Sequence, residues 1–181
     1  LGLIETAAAS HEVAASVDTT DGVVYVPALL GLGTPRWDYG ARGALLGVTR
    51  GTERAHVVRA VLEGVAQRGA DLVDAAEADS GLALPTLRVD GGMSANPTFV
   101  QAVADATQRP VEVSPVLEAT TMGAAFLAGL ATGAWSGWDD VAAAWQPKVT
   151  VEPAGVLDRD RWRDSVGRAA GWHEDLSALD F

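Results

Sequence analysis

Hydrophobic and polar positions divide the first half of the chain into a helix, two short strands, a loop and a second, long helix. Leu3, Ile4, Ala7 and Ala8 share one helical face, which His11 continues, and this predicts a helix from Leu1 to about Val17. Thr19-Thr20-Asp21-Gly22 is a turn. The β-branched and aromatic run Val23 to Val26, closed by Pro27, then predicts a short buried strand. Gly31 to Gly43 is too rich in glycine and too aperiodic for a regular element, yet it carries Arg36, Trp37, Asp38 and Arg42. Such a loop either serves a site or is packed for its own sake, with Trp37 plugging the core and Arg42 paired to a carboxylate. After a short strand at Leu45 to Val48, Thr52 can cap a long helix with apolar residues at Val57, Val58, Val61, Leu62, Val65, Leu72, Val73 and Ala76. Gly69 falls on that stripe and leaves room for a close neighbour, whereas Gly64 weakens the helix. Arg59 and Glu63 stand four apart and can pair, and Ser80-Gly81 predicts a glycine C-cap.

The second half alternates strand and helix. Leu87 and Val89 have strand spacing, Gly91 and Gly92 remove side chains at the strand's carboxyl end, and Asn96-Pro97 suits the start of a helix that buries Phe99, Val100, Val103 and Ala106. Pro110 to Pro115 alternates as a strand, and Glu118 to Gly129 opens another helix. Two such units with right-handed crossovers predict an α/β architecture with a parallel sheet segment. In the uncharged run from Ala119 to Trp138, the residues Gly123, Ala124, Ala125, Ala128 and Gly129 predict a closely packed core helix rather than a membrane span. A short helix over Trp138 to Trp145, an extended piece over Val149 to Pro153 and a charged helix from Leu157 to Leu176 complete the chain. They read as a peripheral wrap, with a body over 1–148 and an extension over 149–181. Arg159, Arg161, Arg163 and Arg168 interleave with Asp158, Asp160 and Asp164 as a solvated, salt-bridged face, and Trp162 and Trp172 read as anchors.

Composition narrows the function classes. With 181 residues, 48% of them hydrophobic, the chain can bury one sizeable core. A net charge of −11 argues against nucleic acid and anionic membrane surfaces as partners. There is no cysteine, and His11, His56 and His173 are too scattered for a zinc set; His11 reads as a partly buried, satisfied histidine and His56 as a surface or capping residue. No basic and apolar leader opens the chain, so the expected compartment is the cytoplasm, and a first residue that is leucine suggests a piece of a longer protein. The strongest local signal for a ligand is the turn at Gly91 and Gly92, since bare backbone at a strand's carboxyl end admits a flat ring or a phosphate. A tight turn without a ligand fits the same residues. The spacing does not fit a dinucleotide-binding glycine fingerprint, and no Gly-x-x-x-x-Gly-Lys-Ser/Thr is present.

Several stretches in one order resemble the carboxyl-terminal part of glycerol kinases in the FGGY carbohydrate-kinase family. They are Val26-Pro-Ala with Gly31-Leu-Gly-x-Pro-x-Trp-Asp38, Ala41-Arg-Gly with Gly47-Val-Thr-Arg-Gly51, and Ala60-Val-Leu-Glu63. Leu87-Arg-Val-Asp-Gly-Gly92 with Asn96 and Glu118-Ala-Thr-Thr-x-Gly-Ala-Ala125 follow. The resemblance implies part of an actin-like, ribonuclease-H-like ATPase domain, with helices on a small mixed sheet. It further implies that ATP, with Mg²⁺, is held between two domains and that its γ-phosphoryl passes to glycerol, giving glycerol 3-phosphate. Gly91, Gly92 and Asn96 fall where the family contacts the adenine nucleotide. The family's catalytic base and polyol-binding residues have no counterpart here, so no catalytic residue and no metal ligand are assigned, and the chain alone is expected to be inactive. The alternatives are another kinase of the family, acting on xylulose, gluconate or ribulose, or a non-catalytic binding or oligomerisation module. An unpaired sheet edge and uncovered apolar surface predict a homo-oligomer.

Overall fold

The computed structural model describes residues 2–177, and all structural statements concern these. The first predicted helix begins at Leu1, outside the described residues; within them the helical part is shorter, a single 3₁₀ turn over Ala7–Ala9 capped by Thr6 and then α1, Ser10–Ala15. β1 (Val24–Val26) pairs antiparallel with β2 (Ala44–Leu46). α2, Arg54–Ser80, is the spine of the molecule. Its cap is Glu53 rather than Thr52: the Glu53 side chain accepts from the helix backbone, and Nδ1 of His56 accepts from the Glu53 amide at 3.0 Å. Gly81 ends it in the left-handed conformation, with φ 67°.

The predicted apolar stripe on α2 is only half buried. Val58 and Leu62 are in the core, whereas Val65, Leu72 and Ala76 are exposed; the helix instead buries its small residues Ala60, Gly64, Ala66 and Ala70, along with Gln67 and Asp71. The physical reason is that α2 has neighbours on several sides, and close approach favours a small side chain over a large one. The roles of its two glycines are accordingly exchanged. A Cβ on Gly64 would overlap the Tyr25 carbonyl oxygen of β1, whereas one on Gly69 would meet nothing within 4 Å.

β3 (Leu87–Val89) runs parallel to β4 (Val111–Val113), and α3 (Pro97–Thr107) connects them. β5, Val149–Val151, adds antiparallel to β4, giving the order β3-β4-β5. The strand beyond residue 148 is thus in the same sheet as the body. Val100, Val103 and Ala106 of α3 pack with Val111 and Val113 and with Ala66 and Ala70 of α2 in one core cluster.

α4 (Ala119–Thr132) and α5 (Trp138–Ala144) form an excursion between β4 and β5. The expectation of a buried core helix fails here, since α4 has no buried residue. Its small residues have the right shape for close packing but nothing to pack on among the described residues. Gly129 alone is closely covered, by the Trp135 ring, which also meets Phe126 edge-on with centroids 5.7 Å apart. At the end of the excursion the Arg88 guanidinium lies 4.0 Å from the centroid of the Trp145 ring, and Arg88 Nε donates to Glu112 at 3.0 Å. No described helix is long and apolar enough to cross a membrane.

The closing helix is two pieces, α6 (Arg159–Ala169) and α7 (Glu174–Ser177), separated around Gly171 at φ 64°. Trp162 is an anchor at 1% exposure, but Trp172 is 71% exposed and is not. The charged face is solvated at Arg163 and Arg168, as expected, whereas Arg159 turns inward. It donates to Asp71 at 2.6 Å and to the Gln67 carbonyl at 2.8 Å, and Trp162 Nε1 donates to the other Asp71 oxygen at 3.0 Å.

The glycine-rich loop is packed, though not as predicted. Leu32 fills the core, Trp37 is 55% exposed, and Arg42 donates to the carbonyls of Tyr39 and Ala41 rather than to a carboxylate. Asp38 organises it by accepting from the amides of Gly40, Ala41 and Gly171 and from the Ser177 hydroxyl. Burial pushes the Asp38 carboxyl up, but these four hydrogen bonds outweigh it and hold the group below the ordinary aspartate value.

Candidate functional site

The turn after β3 is built by glycine conformation and by a helix cap. Gly91 has φ 81° and ψ 179°, a region that side chains disfavour, and its amide donates to the Leu117 carbonyl at 3.1 Å. The Gly91 carbonyl accepts from the Ser94 amide at 3.1 Å and from the Ser94 hydroxyl at 2.7 Å, closing the 3₁₀ turn Gly92–Ala95. A Cβ on either Gly91 or Gly92 would meet nothing within 4 Å, so packing does not account for the absent side chain at Gly92. What its absence does is leave backbone bare beside a cavity.

Asn96 links this turn to the first helix. Its Oδ1 accepts from the Phe99 amide at 3.1 Å, capping α3, while Nδ2 donates to Ser10 Oγ at 2.9 Å and Ser10 in turn donates to the Ala7 carbonyl at 2.6 Å. At 8% exposure the amide is nearly enclosed, with one N–H left uncommitted. The chain from Asn96 to Ala7 fixes the start of α1 opposite the glycine turn. Between them lies a mainly apolar cavity of about 540 Å³, with Ala7, Ala8 and His11 on one side and Gly92, Met93 and Asn96 on the other.

The sequence brings Gly91, Gly92 and Asn96 together by adjacency; the opposite wall was not foreseen. His11 proves partly buried and partnered, as expected, and its partner is Thr98 Oγ1, 2.9 Å from Nδ1. Those two residues are 87 positions apart, so no local spacing could have paired them. His11 also borders a second cavity of about 400 Å³ that contains Arg59, Glu63 and Asp105. Burial there pushes the Glu63 carboxyl above its ordinary value, and Arg59, donating to it at 2.8 Å, offsets part of that rise. Asp90, the residue between β3 and the turn, is exposed. Among the described residues no group of three or more His, Asp or Glu is placed to hold a metal ion.

Residues 2–132 match the model of the FGGY family of carbohydrate kinases, C-terminal domain. The chain belongs to that family. It is 45% identical to a glycerol kinase of Deinococcus radiodurans over 98% of its own length and 36% of the relative's. With a glycerol kinase of Geobacillus kaustophilus the identity is 49%, over 94% of this chain and 35% of that one. The crystal structure of Plasmodium falciparum glycerol kinase with ADP superposes with a TM-score of 0.78 at 33% identity, over 99% of this chain and 35% of that one. The chain therefore has the actin-like, ribonuclease-H-like fold of these kinases and spans about a third of the length of the relatives it matches.

Proposed function

We propose that the chain is the adenine-nucleotide-binding part of an ATP-dependent polyol kinase whose whole polypeptide phosphorylates glycerol to glycerol 3-phosphate. The observation that carries this reading is identity of 45% and 49% to glycerol kinases along almost the entire chain, including the turn that borders the apolar cavity. In this reading Gly91 sets the turn, Gly92 offers bare backbone to the face of the nucleoside, and Asn96 offers its remaining amide hydrogen. The cavity suits the base end of a nucleotide, being mainly apolar with few polar groups.

Phosphoryl transfer relies on positioning and on stabilising charge at the γ-phosphate. In this reading the acceptor pocket and the base belong to the rest of the polypeptide, so the 181-residue chain alone is expected to be inactive. Mg²⁺ enters with ATP, held chiefly through phosphate oxygens, and the described residues bring no cluster that fits it. The expected compartment of such an enzyme is the cytoplasm. The bare face of α4 and the outer edge of β3 favour self-association.

A coupled ADP-release assay on the full-length gene product tests the reading, with glycerol, xylulose, gluconate and ribulose offered separately. Glycerol is expected to give the highest kcat/KM. Preference for one of the sugars would move the assignment within the family, and no ATP-dependent transfer to any of them would overturn it.

A further inference from the structure

The cavity beside the glycine turn has few polar atoms left to read a ligand. On the wall opposite the turn, Ala7 and Ala8 present methyl groups, and His11 is that wall's single polar side chain. Across from it, Asn96 spends its oxygen on the cap of α3 and one amide hydrogen on Ser10, and the nearby Ser94 hydroxyl is spent on Gly91. His11 is held differently. Its Nδ1 is tied to Thr98 on the first turn of α3, which fixes the ring between two helices and leaves Nε2 without a partner among the described residues.

A neutral imidazole has one donor and one acceptor nitrogen, and the bond made by one sets the role of the other. When the Thr98 hydroxyl donates to Nδ1 the ring proton sits on Nε2, and when it accepts the proton sits on Nδ1, so the uncommitted Nε2 of His11, a residue that lines the cavity, is a donor in one tautomer and an acceptor in the other. An adenine edge meets either form, because it carries ring nitrogens that accept and an exocyclic amine that donates; a methyl-lined wall offers nothing comparable.

We propose that His11 is a specificity-determining residue for the purine base of the bound nucleotide, with Nε2 hydrogen-bonded to the edge of the base and Thr98 as the positioning residue that holds the ring through Nδ1. This rests on the nucleotide-binding reading above. It assigns to His11 a recognition role that its sequence context, a histidine continuing an apolar helix face, does not suggest.

Isothermal titration of the full-length gene product with ADP, CDP and inorganic tripolyphosphate tests it, using His11→Phe, His11→Gln and Thr98→Val. His11→Phe keeps a ring but loses the hydrogen-bonding nitrogens, so ADP affinity is expected to fall about five- to tenfold, the effect of one hydrogen bond. Tripolyphosphate affinity is expected to stay unchanged, and the preference for ADP over CDP to shrink by a similar factor. His11→Gln, which retains a donor, is expected to recover part of the loss, and Thr98→Val to lose about two- to threefold for ADP only. ADP binding by both His11 variants equal to wild type would overturn the inference while leaving nucleotide binding intact. Equal weakening for all three ligands would overturn it too, reducing His11 to a structural wall. Failure of the wild-type protein itself to bind ADP would overturn the nucleotide reading, a result visible before any variant is made.

Discussion

α2 and α4 are both built on small apolar residues, and one buries much of its surface while the other buries no residue at all. Along α2 the small positions are matched to particular neighbours: Gly64 to the backbone of β1, Ala66 and Ala70 to α3 and the sheet, Asp71 to α6. In α4 the same kinds of residue, Gly123, Ala124, Ala125 and Ala128, have no such counterpart among the described residues. Small side chains give a helix the capacity for close approach, but burial comes only when another element occupies the space. Composition alone therefore cannot tell a core helix from an uncovered one.

The largest test of this contrast lies where α2 holds α6. Asp71 accepts from both Arg159 and Trp162, so Asp71→Ala leaves the buried indole N–H without its acceptor and the guanidinium with only Gln67 and Asp74. Losing one charge-assisted hydrogen bond and leaving a buried N–H unmet is expected to cost about 2–4 kcal/mol in chemical denaturation. A loss below about 1 kcal/mol would show that α6 is not held through α2. The next test compares two glycines of one helix. Gly64→Val forces side-chain carbons into the Tyr25 carbonyl and is expected to destabilise by about 1–3 kcal/mol. Gly69→Ala enters open space and is expected to stabilise by up to about 1 kcal/mol through helix propensity. Thermal melts that place both variants on the same side of wild type would break the distinction.

That pair of glycines also marks the boundary of what the sequence made legible. Features encoded by neighbours along the chain were readable: the Gly81 cap, the Asn96 cap, the parallel pairing of β3 and β4, the Arg59–Glu63 pair and the bare turn at Gly91 and Gly92. Features set by distant partners were not. Gly69 lies on the apolar stripe and so looked like the point of close approach, but the approaching strand comes from residue 25 and meets Gly64. Trp37 looked like the core plug because of its size, yet the loop turns it outward at positive φ and inserts Leu32. His11 had a visible apolar helix face but no visible partner, since Thr98 arrives from α3, 87 positions further along the chain. Half of the candidate site was thus written in one contiguous stretch, and the other half depended on where α1 docks.

The smallest effect on stability is expected in α4, and there it separates folding from association. Leu127 is 58% exposed, so Leu127→Glu removes little buried surface and is expected to change the stability of the 181-residue chain by no more than about 0.5 kcal/mol. Exposed apolar side chains on one helix are nonetheless what a second copy would cover, and a carboxylate placed among them must be desolvated on contact. The variant should therefore sediment at lower mass than wild type at the same concentration while melting at nearly the same temperature. A large drop in melting temperature with unchanged sedimentation would mean that Leu127 is already covered within one chain. In that case α4 would belong with α2 as a packed helix, and the contrast between them would be lost.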